Sequence, residues 1–129
     1  MKKVWVNGCF DVIHRGHIEL FKYARSLGDF LIVGIDTDKR VRENKGNARP
    51  FNCLEDRVFV LKSIKYIDHT VSFGSDQELE DQIKKTNPDM MIVGSDWENK
   101  KIIGGHLVKN ILFFNRIGDY STTRVLEDG

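Results

Sequence analysis

Apolar and polar positions alternate between two periods along the chain. Five short runs are apolar almost throughout and have the length of strands: Val4 to Val6, Phe30 to Ile35, Ile67 to Phe73, Met90 to Val93 and Ile111 to Phe114. The stretches between them carry apolar residues at helical spacing. Strands that are apolar at nearly every position, not every second one, are what a parallel sheet covered on both faces requires. Alternation with helices supplies the crossovers. The pattern predicts an α/β fold, an open doubly wound sheet of about five parallel strands with helices on both faces, in a single domain over residues 1–129.

Helix boundaries follow from local chemistry. From His17 to Leu27 the stripe Ile18, Leu20, Phe21, Ala24 and Leu27 faces one side, and Gly28 stops it. A second helix is expected from about Leu54 to Ile64, with Val58, Leu61 and Ile64 inward and Glu55 and Asp56 in its first turn. A third, near Asp76 to Lys85, must end before Asn87-Pro88, because proline disfavours helix at the preceding residue. The hydroxyls of Ser121-Thr122-Thr123 are N-cap chemistry for a last helix carrying Val125 and Leu126. Phe10, Phe59 and Phe113 are assigned to the core. The stretch Asp38 to Asn52 has no apolar periodicity; with Lys39, Arg40, Arg42, Lys45 and Arg49 beside Gly46 and Pro50 it reads as a mobile basic loop.

Composition narrows the partners. Twenty Lys and Arg against nineteen Asp and Glu leave a formal charge of +1, so no nucleic-acid or membrane-surface partner is expected, and any anion site must be local. Two cysteines, Cys9 and Cys53, are too few for a disulfide framework and lack metal-ligand spacing. The apolar run after Met1-Lys2-Lys3 is too short for a signal peptide or a membrane span. A soluble, unprocessed, cytoplasmic protein is the expectation.

Chemistry concentrates after the first strand, in Gly8-Cys9-Phe10-Asp11-Val12-Ile13-His14-Arg15-Gly16-His17. This places two imidazoles three residues apart where a helix begins, at the carboxyl edge of the sheet, where open α/β folds bind ligands. Backbone N–H groups and the dipole favour phosphate at a helix start, and Gly16 allows close approach. A His-x-x-His pair also fits a zinc half-site or two capped imidazoles, but no Cys or further His lies at a spacing that completes a zinc site. A second candidate is Arg116-Ile117-Gly118-Asp119-Tyr120-Ser121-Thr122-Thr123, where hydroxyls at a helix start and an arginine form a phosphate cradle.

Gly8-x-Phe10-Asp11 with His14-x-Gly16-His17, followed far along the chain by Arg116 and Ser121-Thr122-Thr123, resembles the paired signatures of the cytidylyltransferase-like nucleotidyltransferases. The family includes glycerol-3-phosphate cytidylyltransferase and heptose-1-phosphate adenylyltransferase, and the resemblance covers nearly the whole chain. It implies a Rossmann-like fold, an NTP and a phosphorylated sugar or polyol as partners, Mg2+ held mainly by the NTP phosphates, and a homodimer. It further implies that His14 and His17 stabilise the α-phosphate while Arg116, Ser121 and Thr122 hold the β- and γ-phosphates. Lys45 and Arg57 are the cations nominated for the reacting phosphates, with Arg49 in reserve. Gly8, Cys9, Phe10, Asp11, Gly16, Gly94, Asp96 and Trp97 are expected around the nucleotide, and no residue is nominated as a metal ligand.

Two branches of the family compete. Asp96-Trp97-Glu98-x-Lys100 and Arg116 resemble the cytidylyltransferase pattern, whereas Lys45-Gly46-x-x-Arg49-Pro50-x-Asn52-x-x-x-Asp56-Arg57 and Lys101-Ile102-Ile103-Gly104-Gly105 resemble the adenylyltransferase. The arginine before Ser-Thr-Thr tips the expectation to CTP and glycerol 3-phosphate, with ATP and heptose 1-phosphate as the alternative. A nucleotide-binding regulatory module without turnover is a further class, and the intact histidine pair argues against it. A redox or metal-binding module built on Cys9 and the histidines is separable by metal analysis.

Overall fold

In the computed structural model, which describes residues 1–115, all strand pairings are parallel and the strand order is β3-β2-β1-β4-β5. The strands are β1 (Lys3–Gly8), β2 (Phe30–Asp36), β3 (His69–Phe73), β4 (Met90–Gly94) and β5 (Asn110–Phe114); the helices are α1 (Arg15–Ser26), α2 (Asp38–Lys45), α3 (Leu54–Lys62) and α4 (Asp76–Thr86). This is the doubly wound, Rossmann-like sheet that the apolar runs predict.

The two-residue period of the strands sorts their side chains between two cores. Val4, Val6, Leu31, Val33, Ile35, Met90 and Ile92 face α1 and α3, meeting Phe21, Ala24 and Leu61. Trp5, Ile32 and Met91 face the other way, onto Phe73 and the α4 residues Leu79 and Ile83. Gly34 interrupts β2 because a Cβ there would lie 2.6 Å from the Trp5 indole. The indole is fully buried and donates its N–H to Asn7 Oδ1 at 2.9 Å.

Helix α4 starts on Ser75, whose hydroxyl accepts from Glu78 N–H at 3.1 Å, and stops at left-handed Asn87 (φ 51°), as the Asn87-Pro88 pair predicts. The predicted inward stripe of α3 is present, with Leu61 buried and Val58 and Ile64 packed against the core. Phe59 and Phe113 depart from expectation: both are exposed, at 73% and 37%. Phe59 lies two residues from both inward-facing Arg57 and Leu61, hence on the opposite side of α3. Phe113 belongs to β5, which among the described residues is a sheet edge with a neighbouring strand on one side only.

The stretch expected as a basic loop also differs, because its first eight residues form α2. Thr37 caps the helix, Val41 buries its single apolar side chain, and Asp38 in the first turn complements the dipole. Polar anchoring replaces the apolar stripe that periodicity looks for. The last predicted helix lies outside the described residues. Among the described residues, no helix is long and apolar enough to cross a membrane.

Candidate active site

In the observed strand order, the chain leaves β1 towards β2 on one side while β4 returns on the other, which opens a crevice at the carboxyl ends of β1 and β4. A cleft of about 660 Å³ occupies that position. Gly8 and Cys9 reach it from β1, Gly94 and Trp97 from β4, and Lys45 from the last turn of α2. Five candidates separated by up to 89 residues are thus brought together. Burial pushes the Cys9 thiol pKa up, and Lys45 and Arg57 pull against it. Trp97 is half exposed at the rim, with the Lys100 ammonium 5.6 Å from its ring centroid.

His14 and His17 are built into the start of α1. Gly16 N–H donates to His14 Nδ1 at 3.0 Å, and His14 N–H donates to His17 Nδ1 at 3.1 Å, a reciprocal capping arrangement. Because each Nδ1 accepts a hydrogen bond, the ring proton of each imidazole resides on Nε2. The rings lie 3.9 Å apart between centroids, inclined by 31°. The amide of Gly16 is taken up by His14 Nδ1 and that of His17 by His14 O, so these two helix-start donors are engaged within the corner itself.

Phe10 supports the pair from below. It is buried and left-handed (φ 50°), and its ring meets His17 edge-on at 5.6 Å and Phe21 at 5.2 Å. A Cβ on Gly8 would lie 3.0 Å from that ring, so Gly8 makes room for it. Phe10 is therefore a buried residue that seats His17.

Asp11 and Arg57 share a feature: each has its polar atoms engaged inside the protein. Asp11 accepts from Phe51 N–H at 2.7 Å, Asn52 N–H at 2.8 Å and Arg49 Nε at 3.0 Å, with a fully buried side chain. Burial raises its pKa, but the two amides and the Arg49 guanidinium outweigh that, and the net shift is downward. Arg57, 1% exposed, donates to the carbonyls of Asn52, Cys9 and Asp36 at 3.0, 2.9 and 2.8 Å and to Asp38 Oδ1 at 2.7 Å. Its guanidinium joins three segments. Arg49 is likewise drawn to Asp11.

The profile of the cytidylyltransferase-like family matches residues 5–126, nearly the whole chain and both signature regions. The chain belongs to the cytidylyltransferase-like family. Relatives similar to it include the bifunctional protein HldE of Campylobacter concisus, 38% identical over 126 residues, and that of Helicobacter pylori, 37% identical over 126 residues. Each alignment covers 98% of this chain but 26% and 27% of the relative, so the chain spans about a quarter of the length of these curated relatives. Among solved structures, the lipopolysaccharide core biosynthesis protein from Thermoplasma volcanium superposes with a TM-score of 0.75 at 24% identity, covering 92% of this chain and 99% of that one. Pantoate-beta-alanine ligase from Francisella tularensis shares the fold at a TM-score of 0.62 and 17% identity, over 92% of this chain and 60% of that one.

Beyond its signatures, this cytidylyltransferase-like chain lines the cleft with polar residues that the sequence did not single out as a site. Asp36, Arg40, Asn44 and Asp76 form one wall. Arg40 links them: its Nε donates to Asp36 Oδ1 at 2.9 Å, its Nη2 donates to Asp76 Oδ1 at 2.9 Å, and its guanidinium carbon lies 5.3 Å from the Phe73 ring centroid. Burial raises the Asp36 pKa against the pull of Arg40, Arg57 and Lys45. An Asp-x-x-x-Arg spacing at a strand-to-helix junction was the available signal, masked by the reading of this stretch as a loop. Arg116, Ser121 and Thr122 lie outside the described residues, as does the side chain of Asp96. Among the described residues, no group of three or more His, Cys, Asp or Glu side chains is placed to hold a metal ion.

Proposed function

We propose that this nucleotidyltransferase-family protein transfers an adenylyl group from ATP to a phosphorylated sugar and releases pyrophosphate. The observation that carries the transferase reading is the stacked His14–His17 pair, held at the crevice end of β1 with both ring protons on Nε2. Phosphoryl transfer needs positioned donors where charge develops, and fixed imidazole N–H groups meet that need. Lys45 adds a cation on the cleft wall. The HldE relatives, aligned over 98% of the chain, weigh towards the heptose 1-phosphate branch of the two that the motifs resemble. The basic Lys45-Gly46-x-x-Arg49-Pro50 stretch agrees with it.

In this reading the acceptor phosphate oxygen attacks the α-phosphorus in line, with pyrophosphate leaving towards Arg116, Ser121 and Thr122. A phosphate monoester is ionised near neutral pH, so no strong general base is required. Asp11 has both carboxylate oxygens engaged, so Mg2+ would take its ligands from triphosphate oxygens and water, which suits the ion's preference; bound there it would neutralise charge on the leaving group.

The second reading, CTP with glycerol 3-phosphate, keeps the support of Asp96-Trp97-Glu98-x-Lys100. Pyrophosphate release measured for ATP and CTP, each against heptose 1-phosphate, hexose 1-phosphates and glycerol 3-phosphate, separates the two. Turnover with ATP and a sugar 1-phosphate is expected. Turnover confined to CTP and glycerol 3-phosphate moves the assignment to the other branch, and no pyrophosphate from any pair overturns the transferase reading.

A further inference from the structure

We propose that Asp36 is a specificity-determining residue of the acceptor subsite, a fixed carboxylate that reads sugar hydroxyl groups. The proposal rests on the transferase reading for the orientation of the two substrates. The nucleotide candidates Gly94 and Trp97 reach the cleft from the β4 side, so the acceptor is left the opposite side of the cleft. That side is the wall of Asp36, Arg40, Asn44 and Asp76 around the carboxyl ends of β2 and β3.

A carboxylate on this wall is costly for phosphate chemistry. The cleft must hold two polyanions, and Asp36 adds like charge in a half-desolvated place. Arg40 does not provide a phosphate site in compensation, because its guanidinium is shared between Asp36 and Asp76 and lies against Phe73. The arrangement acquires a purpose if the acceptor brings hydroxyl donors. Asp36 is held at both ends in a way that suits hydroxyl recognition, since Arg57 donates to its main-chain oxygen at 2.8 Å and Arg40 Nε donates to Oδ1 at 2.9 Å. Its Oδ2 makes no hydrogen bond among the described residues, while the residue lines the cleft with a side chain 17% exposed. Asn44, one turn further along α2 from Arg40, adds an amide able to donate and accept on the same wall. Polar groups fixed in this way discriminate strongly, because a ligand lacking the matching hydroxyl leaves them unpaired.

The test uses binding with two probes, so that charge and hydroxyl recognition predict opposite signs. Mannose 1-phosphate and inorganic phosphate are titrated into the protein and into Asp36→Asn, with ATP titrated separately. Asp36→Asn preserves shape and an oxygen for Arg40; Asp36→Ser is the second variant, and a melting curve verifies that each folds. Mannose 1-phosphate should weaken by about tenfold or more, the scale of a hydrogen bond to a charged group. Inorganic phosphate should bind unchanged or more tightly, and ATP within about twofold. Unchanged or tighter mannose 1-phosphate binding in both variants overturns the proposal, as does parallel weakening of all three ligands. A wild-type protein that binds ATP but no mannose 1-phosphate overturns the proposal and leaves the transferase reading intact. A wild-type protein that binds no ATP, yet shows the opposite responses to the two smaller probes, sinks the adenylyl-transfer reading and keeps Asp36 as the residue that recognises hydroxyls.

Discussion

Two carboxylates follow neighbouring strands, and the protein treats them in opposite ways. Asp11, after β1, has both oxygens engaged by Phe51, Asn52 and Arg49, and its pKa is lowered. Asp36, at the end of β2, has Oδ1 engaged by Arg40, lines the cleft, and its pKa is raised by burial. The cations repeat the contrast, since Arg57 is buried among four acceptors whereas Lys45 stands on the cleft wall and forms no ion pair among the described residues. Saturation marks the groups that hold the loops together. Incomplete saturation, in a charged group aimed at a cleft, marks those left for a ligand.

The contrast breaks first at Arg57. Replacing it by alanine removes a buried guanidinium and strands Asp38 with three carbonyls, so Arg57→Ala should cost about 3–5 kcal/mol in urea unfolding. A loss below about 1 kcal/mol would mean that its hydrogen bonds do not organise the fold. His17→Ala comes next. It should lower kcat by about a hundredfold as one transition-state donor is lost, while stability falls by about 1 kcal/mol with the cap. Near-normal turnover in the folded variant would remove the histidines from the chemistry.

A smaller effect is read from pH. The Asp11 pKa is depressed in the folded state, so its contribution is full above the ordinary value of 3.8 and is lost as pH falls through the folded-state value. Asp36 works in the other direction, because a raised folded pKa makes protonation favour the folded state. Asp11→Asn should therefore flatten the acid limb of the stability curve, and Asp36→Asn should steepen it; equal slopes in both variants would erase the distinction. The smallest effect is expected at Lys45→Ala, with stability within about 0.5 kcal/mol of wild type despite slower turnover.

The strands were legible because burial on both faces leaves nearly continuous apolar runs, and α1 and α4 because their apolar stripes end at Gly28 and at Asn87-Pro88. The histidine corner was legible because its spacing is local. Helix α2 was not, since one buried valine, a threonine cap and contacts from distant residues leave no periodic trace. The same blindness hid the polar wall of the cleft, where Asp76 joins Arg40 across 36 residues. For Arg57, sequence shows its charge but not that four acceptors converge on it.

The two tryptophans sit at opposite extremes of exposure, Trp5 sealed beneath Gly34 in the α4-facing core and Trp97 half exposed on the cleft rim. The molecule therefore carries two optical reporters that divide the work. Emission from Trp5 should be blue-shifted and inaccessible to acrylamide until the sheet unfolds, whereas Trp97 should be quenched at once and shielded when a ligand fills the cleft. A single fluorescence titration can then separate occupancy from denaturation without any label.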